Sequence, residues 1–143
     1  VIPTSDEEAL ALAQAAERFQ AAGVVCTVPR AELVELFLDK SRMYDYLAQR
    51  GVPVPRYLRV TNVAELQQAA GQLGYPNQPF VIKPVKGRGG RGVWMVRNGG
   101  ASLEELVHGI SLETLSLEML LQAIERAGTM PPLVAMEAAS GPR

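Results

Sequence analysis

The sequence predicts an α/β fold, and three observations carry that reading. Capped helical stretches alternate with short apolar runs of strand length. Hydrophobic residues make up 48% of the 143 and charged residues 20%, which suits a packed core rather than a disordered chain. Two apolar runs, "PFVIKPV" and "GVWMV", are joined by a six-residue connection, which predicts an antiparallel pair and hence a small antiparallel sheet.

Each element can be justified in turn. "VIP" reads as the tail of a strand. Thr4 with Glu7, or Ser5 with Glu8, forms a capping box ahead of an Ala-rich helix that runs to about Ala22 and stops at Gly23. "VVCTV" (Val24–Val28) is expected as a short buried strand, with Cys26 in the core. Pro29 opens a helix through "AELVELFL", and Asp39 caps a second, "KSRMYDYLAQR", ended by Gly51. The prolines of "GVPVP" force extended backbone, and "RYLRV" follows as a strand. Asn62 and Glu65 cap a helix to about Leu73, closed by Gly74. After the glycine loop, Leu103–Ile110 and Leu112–Ala127 are predicted helices, the second with a Leu117, Leu120, Leu121, Ile124 stripe, and "PLVAME" is a strand.

Charge is balanced overall, at a net −1, so the chain is no polycation seeking nucleic acid. Its distribution is uneven. From Leu66 to Leu103 there is no acidic residue, while Lys83, Lys86, Arg88, Arg91 and Arg97 fall inside that window. A local positive field centred on the glycine loop results. One cysteine rules out an internal disulfide, and His108 has no partner spaced to ligate a metal. No apolar run approaches the roughly 20 residues that span a bilayer, and no signal peptide is visible, so a cytoplasmic protein with no membrane partner is expected.

The loop "KGRGGRG" lacks the Gly-Lys-Ser/Thr ending of a Walker sequence and does not open a helix. Its physics still suits an anion. Glycines let successive backbone N–H groups turn toward a bound phosphate, and nearby cations stabilise the charge. Lys83, in the strand itself, is mounted rigidly enough to meet a phosphate oxygen as a point charge. Two other readings of the loop are a solvated hairpin tip and a single-strand nucleic-acid contact through its Arg/Gly repeat and Trp94.

Three stretches occur in a telling order: "LFLDKSRMYDYLAQRGVPVPRY", "AAGQLGYPNQPFVIKPVKGRGGRGVWMV" and "PLVAMEAASG". Together they resemble the ATP-grasp family of ATP-dependent ligases, in particular its carbamoyl-phosphate-synthase-like and biotin-carboxylase-like members. The resemblance covers roughly residues 24–141. It implies that residues 1–30 end a Rossmann-like α/β domain and that residues 31–143 form the N-terminal part of an ATP-grasp domain, cut after its hinge. It implies that Lys40 and Lys83 reach the nucleotide phosphates. Gly87, Arg88, Gly89, Gly90, Arg91 and Gly92 would fold over the β- and γ-phosphates. Glu137 with the backbone of Ala138 and Ala139 would meet the adenine edge, and Val81 and Met136 would wall the base. Lys86 and Arg97 are left as solvated charges.

The implied ligands are ATP and Mg²⁺, with the metal ligands expected outside this chain, and a carboxylate or bicarbonate activated as an acylphosphate. The chain starts at "VIPTSDEE" without methionine and ends at "LVAMEAASGPR", so both ends are expected to continue into a longer protein. The longer protein is expected to be a ligase and these 143 residues alone inactive. A nucleotide-binding ATP-grasp module without catalysis is the alternative, and after it an α/β domain that binds RNA or an acidic partner.

Overall fold

The structure is a computed structural model that describes residues 1–87, 89–99, 107 and 113–139. Its helices are α1 (Asp6–Gln14), α2 (Ala16–Ala21), α3 (Ala31–Leu38), α4 (Lys40–Ala48), α5 (Val63–Gln72) and α6 (Leu117–Ala127). Its strands are β1 (Tyr57–Val60), β2 (Phe80–Pro84), β3 (Trp94–Val96), β4 (Glu113–Leu115) and β5 (Leu133–Glu137). They form one mixed sheet in the order β1-β5-β2-β3-β4. Every pairing is antiparallel except β3 with β4.

Strand alternation divides the sheet into two faces. Phe80 and Ile82 of β2, Leu133 and Ala135 of β5, Val60 of β1 and Val96 of β3 point to the core face. There they meet Leu66, Ala69, Ala70 and Leu73 of α5, and the α6 stripe of Leu117, Leu120, Leu121 and Ile124 packs against the same cluster. Burying a side chain such as Phe80 or Leu66 contributes about 1.5–3 kcal/mol. The opposite face carries Tyr57, Arg59, Val81, Lys83, Val134 and Met136, read from the register of β1, β5 and β2. It is approached by α4.

The predicted caps form. Ser5 accepts from the Glu8 amide and Asn62 from the Glu65 amide; Ser116, not among the predicted caps, accepts from the Met119 amide. Glu8 and Glu65 do not close simple boxes. Each carboxylate reaches one residue further back, to the N–H (2.7 Å) and hydroxyl (2.9 Å) of Thr4 and Thr61 respectively. These bonds, the threonine amide first, hold both carboxyls below their ordinary value.

Four expectations are corrected. The Ala-rich helix is interrupted at Ala15, which leaves helical geometry between α1 and α2. Neither "VIP" nor Val24–Val28 is a strand, because among the described residues neither joins the sheet. Two bonds, Val1 N–H to Val25 O and Thr27 N–H to Val1 O, are too few for a ladder. Val25 is consequently 79% exposed and Cys26 only half-buried. Helix α6 begins at Leu117 rather than Leu112, because Glu113–Leu115 pairs with β3 and Ser116 caps the helix after it. The predicted helix Leu103–Ile110 and the His108 reading lie outside the described residues.

The joint between helices and sheet is built on Asp39, buried between α3 and α4. Its Oδ1 accepts from the Ser41 amide, the Ser41 hydroxyl and the Arg42 amide, and its Oδ2 meets Arg59 at 3.2 Å. Burial pushes this carboxyl upward, but the Ser41 and Arg42 bonds and the Arg59 charge outweigh it and hold it below the usual aspartate value.

Asp39→Ala removes the cap and the ion pair together and is expected to cost about 1–3 kcal/mol in urea unfolding. Because the folded form binds the Asp39 proton more weakly than the unfolded chain, its contribution is present above about pH 4 and lost as pH falls through the depressed folded value. Asp39→Asn, which cannot titrate, is expected to show a shallower loss of stability below pH 4 in a pH series of urea midpoints. An unchanged slope would contradict this account.

Candidate functional site

Two elements bring the predicted lysines together. Lys40 is the first residue of α4, and its backbone N–H donates to Val85 O at 3.0 Å, fastening the helix start to the end of β2. Lys83 sits in β2 opposite Val134, on the face away from α5 and α6. From there the Lys40 ammonium donates to Gly87 O at 2.7 Å, and the Lys83 ammonium donates to the Tyr44 hydroxyl at 2.6 Å. Partial burial and, second, the neighbouring Lys83 charge lower the proton affinity of Lys40; Asp6 and Asp39 act against them.

A cavity of about 450 Å³ opens beside Lys40, Lys83, Tyr44 and Gly87, with apolar walls that include Leu33, Val34, Phe37 and Met43. A second, of about 590 Å³, lies along the glycine loop between Pro84, Lys86, Arg91 and Gly92 on one side and Asp6, Glu7 and Leu10 of α1 on the other. Gly87 thus stands where both cavities meet. Glycine is required at Gly92: φ is +70° and a Cβ would lie 3.1 Å from Pro84 Cγ.

The predicted residues fall into two groups. Lys40, Lys83 and Gly87 converge on the first cavity, while Gly92 and Arg91 line the second together with Lys86, expected only as a solvated charge. Gly89 and Gly90 form an exposed turn with positive φ, and Arg88 lies outside the described residues. Glu137 ends β5 opposite Phe80, three residues along the strand pair from Lys83, or about 10 Å. Its backbone N–H donates to Arg56 O and its carboxylate accepts the Arg56 N–H, each at 2.9 Å, so it ties the end of β5 to the start of β1. Ala138 and Ala139 come next, half-buried and exposed. Val81 and Met136 pair directly between Lys83 and Glu137.

Sequence reasoning passed over Tyr44 and its neighbours. Tyr44 stands four residues after Lys40, one helical turn along the same face, and that spacing was the available signal. Its ring lies 4.9 Å from the Tyr57 ring, and the Tyr57 hydroxyl donates a short hydrogen bond to Asp45. Burial, then that bond and the Asp45 charge, push the Tyr57 hydroxyl up to about 12. Among the described residues no group of three His, Cys, Asp or Glu side chains is arranged to hold a metal ion. No helix among them is long and apolar enough to cross a membrane.

Comparison with known proteins places this geometry. A formate-dependent phosphoribosylglycinamide formyltransferase of Synechocystis is 35% identical over 80 residues, covering 55% of this chain and 20% of that protein. The carbamoyl phosphate synthase large chain of Rubrobacter xylanophilus is 35% identical over 91 residues, covering 64% of this chain and 8% of that one. The biotin carboxylase domain of the Hydrogenobacter thermophilus 2-oxoglutarate carboxylase, solved with MgADP, ADP and bicarbonate, shares the fold. Its TM-score is 0.60 at 24% identity, over 97% of this chain and 28% of that one. The chain spans a fifth or less of the length of these curated relatives. A family model described as sugar-transfer associated ATP-grasp matches residues 25–129, well over half of the chain. The resemblance carried by the "DK", "VIKP" and "GRGGRGV" stretches is therefore real, and the chain belongs to the sugar-transfer associated ATP-grasp family.

Proposed function

We propose that this chain is the ATP-binding part of an ATP-grasp ligase. The observation that carries the reading is the convergence of Lys40 and Lys83 on the base of the glycine loop, beside a cavity shared with Gly87. Burial and then the nearby Lys83 charge lower the proton affinity of Lys40, and two such cations are costly unless an anion comes between them. A nucleotide polyphosphate is such an anion. Lys40 and Lys83 would meet its phosphates, and the loop from Gly87 through Arg88, Gly89, Gly90 and Arg91 to Gly92 would cover them.

The distance along β2 supports the same orientation. The base would rest on Val81 and Met136, and its polar edge would meet the backbone at Ala138 and Ala139, beyond the point where Glu137 is fastened to Arg56. In the longer protein, the nucleotide would activate a carboxylate or bicarbonate as an acylphosphate. The part played by these residues is electrostatic: fixed cations and backbone dipoles stabilise charge as the phosphoryl group moves. The loop would keep water from the acylphosphate. Residues 1–30 would end a preceding α/β unit, and residues 31–143 would form the ATP-grasp portion.

Isothermal titration with ADP and ATP tests the reading. Saturable binding is expected, weakened tenfold or more in Lys83→Ala through loss of a charged hydrogen bond. Equal affinities in the wild type and the variant would overturn it. Gly92→Ala forces a side chain against Pro84 in a left-handed conformation that costs about 1–2 kcal/mol. It is expected to weaken ATP more than AMP, because the loop would contact only the outer phosphates. Equal losses for both nucleotides would place the loop elsewhere.

A further inference from the structure

Among the described residues, Lys83 is held by a phenol and by no carboxylate. Three acidic groups on the neighbouring elements are engaged elsewhere: Asp39 with the α4 amides and Arg59, Asp45 with the Tyr57 hydroxyl, Glu137 with the Arg56 amide; Asp6 of α1 lines the same cavity as Lys83. A carboxylate bonded to Lys83 would fix its direction and cancel its charge. A phenol is an uncharged acceptor at neutral pH, so it fixes the direction and leaves the charge available.

Tyr44 is itself fixed from three sides. Its ring packs tilted against that of Tyr57 at 4.9 Å, its hydroxyl lies 3.9 Å from the Met136 sulfur, and the Lys83 ammonium stands 5.0 Å from its ring centroid as well as 2.6 Å from its oxygen. It shares a helix face with Lys40, one turn away. One side chain therefore joins the helix that carries Lys40, the strand that carries Lys83 and the strand that carries Met136. An ammonium has three N–H groups, and a single bond to Tyr44 orients the others.

We propose that Tyr44 is a positioning residue of the nucleotide site, whose hydroxyl holds the Lys83 ammonium aimed into the cavity shared with Lys40 and Gly87, where a ligand phosphate meets it. The inference rests on the nucleotide reading above and adds to it a residue outside the glycine loop and the two lysines. Tyr44 touches Lys83 rather than the reacting atoms, so its effect passes through that lysine.

The sequence offers a direct probe, because it contains only three lysines: Lys40, Lys83 and Lys86. Lysine-selective NMR of the side-chain ammonium groups is recorded for the wild type and Tyr44→Phe, which keeps the ring and removes only the hydroxyl. ADP affinity is then measured by calorimetry for both, for Lys83→Ala and for the double variant. Tyr75→Phe is the control, since Tyr75 packs against Phe80 on the core face of the sheet, away from Lys83.

In Tyr44→Phe the Lys83 signal is expected to move while that of Lys86 stays. ADP affinity is expected to fall roughly tenfold with the urea midpoint unchanged. Adding Tyr44→Phe to Lys83→Ala should cause no further loss, because the two residues act as one unit. Tyr75→Phe should bind ADP like the wild type. An unmoved Lys83 signal, undiminished ADP affinity in Tyr44→Phe, or losses that add in the double variant would each overturn the positioning role. A wild type that binds no ADP would overturn the nucleotide reading and this inference with it. That failure is recognised by a Lys83 signal that still moves in Tyr44→Phe.

Discussion

The hydrogen bond from the Lys40 amide to Val85 O is the seam on which the site depends. An α-helix leaves its first amides without intrahelical partners, so the start of α4 has N–H groups free for whatever it docks against. Asp39 takes two of them, at Ser41 and Arg42, and Val85 takes that of Lys40. The helix is thus joined to the strand end where the glycine loop begins. Val85 in turn donates its own amide to Pro132, so the seam continues to the start of β5. Lys40, Lys83 and Gly87 are near one another because three backbone segments are stitched at this point. The side-chain contacts between them are a result of it.

Electrostatics at the site are decided as much by what the carboxylates do as by where the cations stand. The chain is almost neutral, yet Asp39, Asp45 and Glu137 are consumed as a helix cap, as the acceptor of a tyrosine proton and as a tie between strand ends, and the Asp6 charge does not outweigh burial and Lys83 at Lys40. Each use is structural in itself. Their joint effect is to leave two ammonium groups beside an apolar-walled cavity, where the weaker solvation of charge lowers the proton affinity of Lys40. A local positive field can therefore exist in a protein with no net positive charge.

Local rules carried far in the sequence, and long-range pairing set the limit. Asn62, Asp39 and Ser5 announced their helices because a cap needs only the next three residues. Phe80–Pro84 and Trp94–Val96 announced their pairing because a short glycine-rich connection leaves few alternatives. Glu113–Leu115 was read as helix since its partner, β3, pairs in parallel across a connection that no periodicity describes. Val24–Val28 failed for the opposite reason: its composition suits a strand, but a strand exists only where a ladder is available. At the site, Lys40, Lys83 and Gly87 were legible through a motif order. Tyr44 was not, because a tyrosine in a helix is ordinary until its fourth-residue spacing from Lys40 is matched to a strand beneath it.

Alternation in β2 has a consequence for how this protein can change. Phe80 and Ile82 face the core, at 0% and 2% exposure, and Val81 and Lys83 face the other way. With a period of two, the burial that fixes the first pair also fixes the second. A shift by one residue would bury an ammonium and expose a phenylalanine in the same step. Selection for nothing more than solubility would therefore keep the lysine aimed outward, even in descendants that had lost their ligand. Conversely, Val81 and Lys83 can be exchanged without disturbing the packing of Phe80 and Ile82 behind them, whereas Val134, on the same face, is fully buried. The sheet acts as a partition that lets the chemistry drift while the scaffold stands still.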